Sequence, residues 1–231
     1  MASFALVTEG ITDQVVIERI ISTIIEDGLD EEVEVNILQP LRDATDEARQ
    51  ENGVFGGWEK VLEFCSSSEL LSQALSFNQY LVIQLDTDCC EHPNFGLSYH
   101  KDGVELEPLD LIEDVKNIIH SKFSHEFIET YKDRIVFAIA VHSTECWFMP
   151  FYSTQAKNKS RTKSCEANLQ LNLAKKDIHF EKTYNCYNKL SNCFNKLKDI
   201  EKNRALNISL NHFIESLKKL APFDVTTSTA V

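Results

Sequence analysis

FALVTEGITDQVVIERII, residues 4–21, joins a short apolar run to a helical pattern through an acid and a glycine. Residues 4–8 show no polar alternation, which is how a strand covered on both faces reads. From Thr12 onward Val15, Val16, Arg19, Ile20, Thr23 and Ile24 repeat at helical spacing, with Thr12 or Asp13 available as the cap. The order is strand, tight turn, helix, and Glu9 is expected at the carboxyl end of the strand with Gly10 beside it. A covered strand has no packing reason to stop at an acid, yet the punctuation recurs twice. LVIQLDTDCCEH at 81–92 ends an apolar run in Asp86 and Asp88, and FAIAVHSTECWF at 137–148 runs through His142 to Glu145.

Working outward, VEVNIL at 33–38 predicts a second strand, followed by a polar, Gly-containing loop and one or two helices over 57–75. YLVIQL at 80–85 is the third strand and IVFAIAV at 135–141 the fourth. Between them lie an irregular loop to 108 and a long helical pattern from Leu109 to about Lys132. Strands separated by helical segments of this length predict βαβ crossovers, so the expected class is α/β with a mostly parallel four-stranded sheet flanked by helices. After Pro150 the composition changes, and NCYNKLSNCFNKLKDIEKN and SLNHFIESLKKL read as two amphipathic helices. The expected organisation is a sheet domain over 1–150 and a basic helical extension over 151–231, packed on that domain or on a partner.

The formal charge of −13 conceals an asymmetry. Residues 1–150 hold 9 Lys and Arg against 29 Asp and Glu, whereas residues 151–231 hold 14 against 7. An acidic body repels nucleic acid unless cations intervene; a basic tail attracts a phosphate backbone or an acidic partner. The 231 residues, 43% hydrophobic, suffice for a sizeable core. No secretory signal and no membrane-spanning run is read, so a cytoplasmic protein is expected, with no membrane among its partners. The 7 cysteines, odd in number and scattered, read as reduced thiols, and Cys89, Cys90 and His92 lack the partner pair that a zinc site needs.

In an open parallel sheet the carboxyl ends of the strands line one crevice. Glu9, Asp86, Asp88 and Glu145 are expected on that rim, with Asp13 one turn into the first helix. Crowded carboxylates raise one another's pKa and cost stability unless a cation compensates. A hard divalent ion is the natural one, because Mg²⁺ takes oxygen ligands from a few carboxylates and substrate phosphate supplies others. Two such ions can clamp the attacking and leaving oxygens of a phosphodiester. Gly10 leaves room for close approach of a backbone or phosphate.

The order of an apolar strand with E-G-x-T-D, then a strand ending D-x-D, resembles the Toprim domain of topoisomerases, primases and OLD-type nucleases. AVHSTECW at 140–147 is similar to the H-x-x-E-x-W strand end of small Toprim-like proteins from bacterial defence loci. The resemblance covers about residues 4–150. It implies a Rossmann-like fold, with Glu9 as metal ligand or general acid/base, Asp86 and Asp88 as ligands, and Asp13 supporting a second metal. Glu145 would be a further ligand. The implied cofactor is Mg²⁺ or Mn²⁺, as one or two ions. The implied activity is an endonuclease cutting DNA or RNA, as an antiviral or toxin-type effector. No P-loop sequence is present, so ATP hydrolysis by a P-loop of its own is not expected. The resemblance to OLD-type proteins, which often work beside an ATPase, implies a separate ATPase as partner, and a homo-oligomer is the other assembly considered.

Two readings of His142 stand open, a phosphate contact or support of the strand end; Trp147 is expected in the core. No lysine adjoins the later acidic motifs, so Lys157, Lys159, Arg161 and Lys163 are the candidate cations, either for transition-state charge or for nucleic-acid binding. Two rivals remain: a non-catalytic Toprim-like subunit, and a phosphatase of the haloacid-dehalogenase type, whose nucleophile strand LVIQLDTD resembles.

Overall fold

Strict alternation along the strands decides which layer each side chain joins. In the computed structural model, which describes residues 1–41 and 57–220, β1 (Ala2–Val7) turns Phe4 and Leu6 to one face and Ala5 and Val7 to the other. After α1 (Ile11–Ser22), β2 (Val33–Gln39) follows, then α2 (Trp58–Cys65), α3 (Ser68–Phe77) and β3 (Tyr80–Asp86). Tyr80 and Val82 of β3 share the layer of Phe4; Leu81, Ile83 and Leu85 share that of Ala5. A small hairpin, β4 (His100–Lys101) with β5 (Val104–Glu105), interrupts what reads as plain loop in the sequence. Then come α4 (Pro108–His120), α5 (His125–Tyr131) and β6 (Ile135–Ala140).

The main sheet has the order β2-β1-β3-β6, and every pairing in it is parallel. The expected α/β class with a four-stranded parallel sheet is therefore observed. Helix α1 packs on the face of Phe4 and Leu6, whereas α2 to α5 pack on the opposite face. The chain moves from β1 to β2 on one side and to β3 on the other, so the sheet's switch point lies between β1 and β3. That is where an open α/β sheet presents its ligand crevice.

The remaining helices are α6 (Glu145–Tyr152), α7 (Ala156–Lys159), α8 (Cys165–Ala174), α9 (Tyr184–Leu190), α10 (Leu197–Asn203) and α11 (Ile208–Lys218). They join the α1 face: Phe148, Leu169, Tyr187, Phe194, Ile200 and Phe213 share one buried cluster with Phe4, Ile17 and Val136. Trp147 is in the core as expected, with its indole stacked on Phe213 at 5.6 Å. Its Nε1 donates to Ser209 Oγ at 2.8 Å, and the same hydroxyl accepts from Val141 N at 3.2 Å. Ser209→Ala leaves two buried donors without this acceptor, so it is expected to cost about 2 kcal/mol in a urea titration. An unchanged midpoint would contradict that accounting.

Several element boundaries depart from the sequence reading. The helical pattern at 109–132 is two helices, because Ser124 accepts from Phe127 N at 3.2 Å and starts α5 afresh. The first amphipathic segment after Pro150 breaks into α9, a 3-10 turn (Ser191–Phe194) and α10, which puts Cys186 and Cys193 on different elements. Neither Thr12 nor Asp13 caps α1: Gly10 is the N-cap, in extended conformation, and Asp13 sits in the first turn. The polar loop after β2 lies mostly outside the described residues. Among them, no helix is long and apolar enough to cross a membrane.

The cysteines need a larger correction. Cys146 and Cys165 form a disulfide across 19 residues of chain, joining α6 to α8. Their side chains meet because both helices pack in the same layer, which no spacing rule reports. The other five, Cys65, Cys89, Cys90, Cys186 and Cys193, are free thiols. Thiol titration of the purified protein in denaturant should count these five before reduction and 7 after it. Seven before reduction would remove the bridge.

Candidate functional site

Glu9 stands two residues past the end of β1, and its position is fixed from three sides. Its amide donates to Gln84 Oε1 at 3.0 Å, and its carbonyl accepts from Gly57 N at 2.8 Å. Gly57 has φ of +90, a conformation that a side chain would strain. The Glu9 carboxylate accepts from Asp86 N at 2.6 Å through Oε1. Gln84 is fully buried in β3, and its Nε2 also donates to Asp86 Oδ1 at 2.9 Å. One buried amide thus latches the ends of β1 and β3 together and aims both acids at the switch point.

Asp86 is held further by the N-cap residue of α6: Thr144 Oγ1 donates to Asp86 Oδ1 at 3.0 Å and Thr144 N to Oδ2 at 3.3 Å. Asp88, more exposed, donates its amide to His142 O at 3.0 Å, while His142 N donates to Thr87 Oγ1 at 2.7 Å. These bonds tie the two acidic strand ends side by side. Glu145 enters from the first turn of α6 and Asp13 from the first turn of α1. The structure therefore gathers Glu9, Asp13, Asp86, Asp88 and Glu145 within electrostatic reach of one another. Gly10 has φ of −142, so its backbone there makes no demand for glycine.

Burial and mutual repulsion show in the proton affinities. Burial, with repulsion from Asp13 and Asp88, pushes the Glu9 carboxyl up to about 8. Burial and Glu145 push Asp13 up to about 7. Asp86 is raised well above the usual carboxylate range, by burial and then by Asp13, Glu9, Glu145 and Asp88; Asp88 is raised by burial and Glu145. Glu145 behaves differently. Burial pushes it up too, but Lys182, together with hydrogen bonds from Ser143 and Tyr187, outweighs that and holds it below its ordinary value.

Lys182 is the cation that sequence reasoning missed. It lies in the connection between α8 and α9, and its Nζ is 3.4 Å from Glu145 Oε1 and 2.9 Å from Glu166 Oε2. It also offsets part of the rise at Asp13 and Asp88. No signal in the sequence marks it, since a lysine in a polar connection 37 positions past Glu145 looks like solvated surface. The expected candidates lie elsewhere. Lys163 pairs with Glu105 of β5, Arg161 donates to Lys163 O at 3.3 Å and Asn158 Oδ1 at 3.4 Å, and Lys157 and Lys159 belong to the short α7.

No family model, curated protein or solved structure matches the chain.

The donor chemistry fits a hard divalent ion: oxygen ligands, partly desolvated, with net negative charge relieved in part by Lys182. Among the described residues, no group of three or more His, Cys, Asp or Glu side chains is arranged as a ligand set. The carboxylate oxygens are engaged internally instead, Asp86 with Thr144 and Gln84, Glu145 with Tyr187 and Lys182. Binding an ion requires those hydrogen bonds to be exchanged for coordination. His142 stacks its ring on Tyr99 with centroids 4.7 Å apart, and burial lowers its pKa. A cavity of about 500 Å³ lies beside β2 against Glu34, Asn36, Phe64, Leu70 and Phe77 and includes none of the five acids of the strand ends.

Proposed function

We propose that the protein is a divalent-metal-dependent nuclease of Toprim-like, Rossmann-like architecture that hydrolyses phosphodiester bonds in DNA or RNA. The observation that carries this reading is the convergence of Glu9, Asp13, Asp86 and Asp88 at the β1/β3 switch point, each with its carboxyl raised. Four acids kept in mutual repulsion, when structure alone would favour neutral side chains, are understandable as the binding residues for a divalent cation. Asp86, Asp88 and Glu9 would hold that ion, Asp13 and Glu145 would border a second, and Mg²⁺ or Mn²⁺ supplies Lewis acidity and an activated water when bound.

The chain's own groups then have separate tasks. Glu9, raised to about 8 by burial and its acidic neighbours, holds a proton at neutral pH in the metal-free site and would release it on taking up the ion. Gln84 and Thr144 orient Asp86. Lys182 supplies positive charge beside Glu145, on the side from which α6 and α9 approach. Lys157, Lys159, Arg161 and Lys163 supply a basic segment for the sugar-phosphate backbone. An antiviral or toxin-type role and a separate ATPase partner belong to the same proposal and rest on the resemblance of the motifs.

The test is a cleavage panel of supercoiled DNA, linear DNA and tRNA with Mg²⁺ and with Mn²⁺, beside an Asp86→Ala/Asp88→Ala control. Products that need the metal and vanish in the control support the reading. Intact substrates throughout, from protein shown to be folded, would overturn it. Lys182→Met is expected to slow cleavage about 100-fold, the scale of losing one preorganised positive or donor group. A rate equal to that of the unsubstituted protein would remove Lys182 from the mechanism.

A further inference from the structure

Beside the acids, at the carboxyl end of β6, lies a cavity of about 230 Å³. It is smaller than the 300–1,000 Å³ usual for drug-sized ligands, and so suits one flat ring system better than a whole nucleotide. Tyr99 and His142 form an aromatic wall, their rings near-parallel at 15° and 4.7 Å apart. Tyr99 is locked in place by its hydroxyl, which donates to Thr87 O. Leu106 and Val141 add apolar surface, and Glu105 and Thr162 contribute hydrogen-bonding groups.

Two observations connect this cavity to nucleic acid. First, His142 belongs to both places, lining the cavity while its carbonyl accepts from Asp88 N at 3.0 Å. Its backbone there has φ of +63, a left-handed conformation. Second, the basic segment runs along the wall: Thr162 lines the cavity between Arg161 and Lys163, Lys163 pairs with Glu105, and Arg161 Nε is buried without a hydrogen-bond partner among the described residues. An aromatic wall, a carboxylate that can accept from an exocyclic amine, and cations alongside are the components of single-strand recognition.

We propose that this cavity receives an unstacked base of a single-stranded nucleic acid, next to the phosphate presented to the acids. The assignment rests on the nuclease reading for its orientation. It makes the substrate a single strand, a loop or a locally opened duplex, since a paired base cannot enter.

The experiment measures fluorescence anisotropy of a short labelled single strand, as DNA and as RNA, with Ca²⁺ replacing Mg²⁺, beside the same strand built from abasic units. Expected are about tenfold weaker binding of the abasic strand, and a similar loss on the intact strand for Tyr99→Ala and for His142→Asn. Asparagine tolerates the left-handed backbone, so it removes the ring without breaking the turn. Tyr99→Phe keeps the ring and should bind within about twofold of the unsubstituted protein, with thermal melting confirming the fold of each variant. Equal binding of intact and abasic strands would overturn the proposal, as would competition by a free nucleoside monophosphate at concentrations comparable to the oligonucleotide. Loss of base dependence with metal-dependent cleavage intact defeats this subsite alone. Base-dependent binding without cleavage of any substrate defeats the nuclease reading and leaves the subsite standing.

Discussion

Asp86→Asn is expected to reduce metal-dependent cleavage by about 1,000-fold, the effect of losing several kcal/mol of charge stabilisation at the centre of the site. Asp86 lies at the switch point and touches the other elements of the site: its amide binds Glu9, and its carboxylate binds Gln84 and Thr144. The isosteric amide keeps the shape and the Oδ1 acceptor. It replaces Oδ2 by a donor facing Thr144 N, a contact now 3.3 Å long. That mismatch costs stability, while removal of one of five neighbouring acids restores some, so the thermal midpoint of the metal-free variant should move by only a few degrees. A rise in midpoint on adding Mg²⁺ is expected for the unsubstituted protein and should be absent in the variant, along with activity. Retained cleavage in Asp86→Asn, or an unaltered Mg²⁺ response, would contradict the assignment of Asp86 as a ligand.

The metal-free protein should lose stability as pH rises from 6.5 to 8.5, by on the order of 3 kcal/mol, and Mg²⁺ should restore it. The folded state binds protons more tightly than the unfolded chain at Glu9, at about 8 against 4.5, and at Asp13, at about 7 against 3.8. Stability conferred by such groups is complete below their unfolded values and disappears as pH passes the folded ones. Asp86 and Asp88 shift in the same direction. Burial lowers His120, His142 and His212, which has the opposite sign, but their contribution is confined to pH below about 6.5. Glu145 is depressed and acts only in the acid range. Denaturant titrations at pH 6.5, 7.5 and 8.5, with EDTA and with Mg²⁺, check both halves. Flat stability across this range, or an equal Mg²⁺ effect at every pH, would show that the acids neither repel one another nor share an ion.

The difference between Glu145 and the other acids bears on how the site is built. Tyr187 and Lys182 both come from beyond Pro150, and both bind Glu145. Lys182 binds Glu166 as well, next to Cys165 of the disulfide, while Cys146 of that bridge follows Glu145. The segment that reads as an appended basic extension thus completes one wall of the acidic crevice. Its helices cover the sheet face that α1 leaves partly bare, and the same packing brings Lys182 to the acids.

Much of this was legible along the chain because it depends on neighbours. Apolar runs at 4–8, 80–85 and 135–141, the second broken by Gln84, specify buried parallel strands, since regular polar alternation would place a row of polar groups in a covered layer. A parallel sheet then sends every strand end to one edge, which is why Glu9, Asp86 and Asp88 meet although they are far apart in sequence. The packing of the tail was decided only in three dimensions. Lys182 reaching Glu145, Gln84 bridging Glu9 and Asp86, and Cys146 meeting Cys165 each depend on how layers stack and helices break. Local sequence records which residues are apolar and where the backbone turns; it carries no record of which polar side chain on one layer will face which on another, because that is set by the packing of all the layers together.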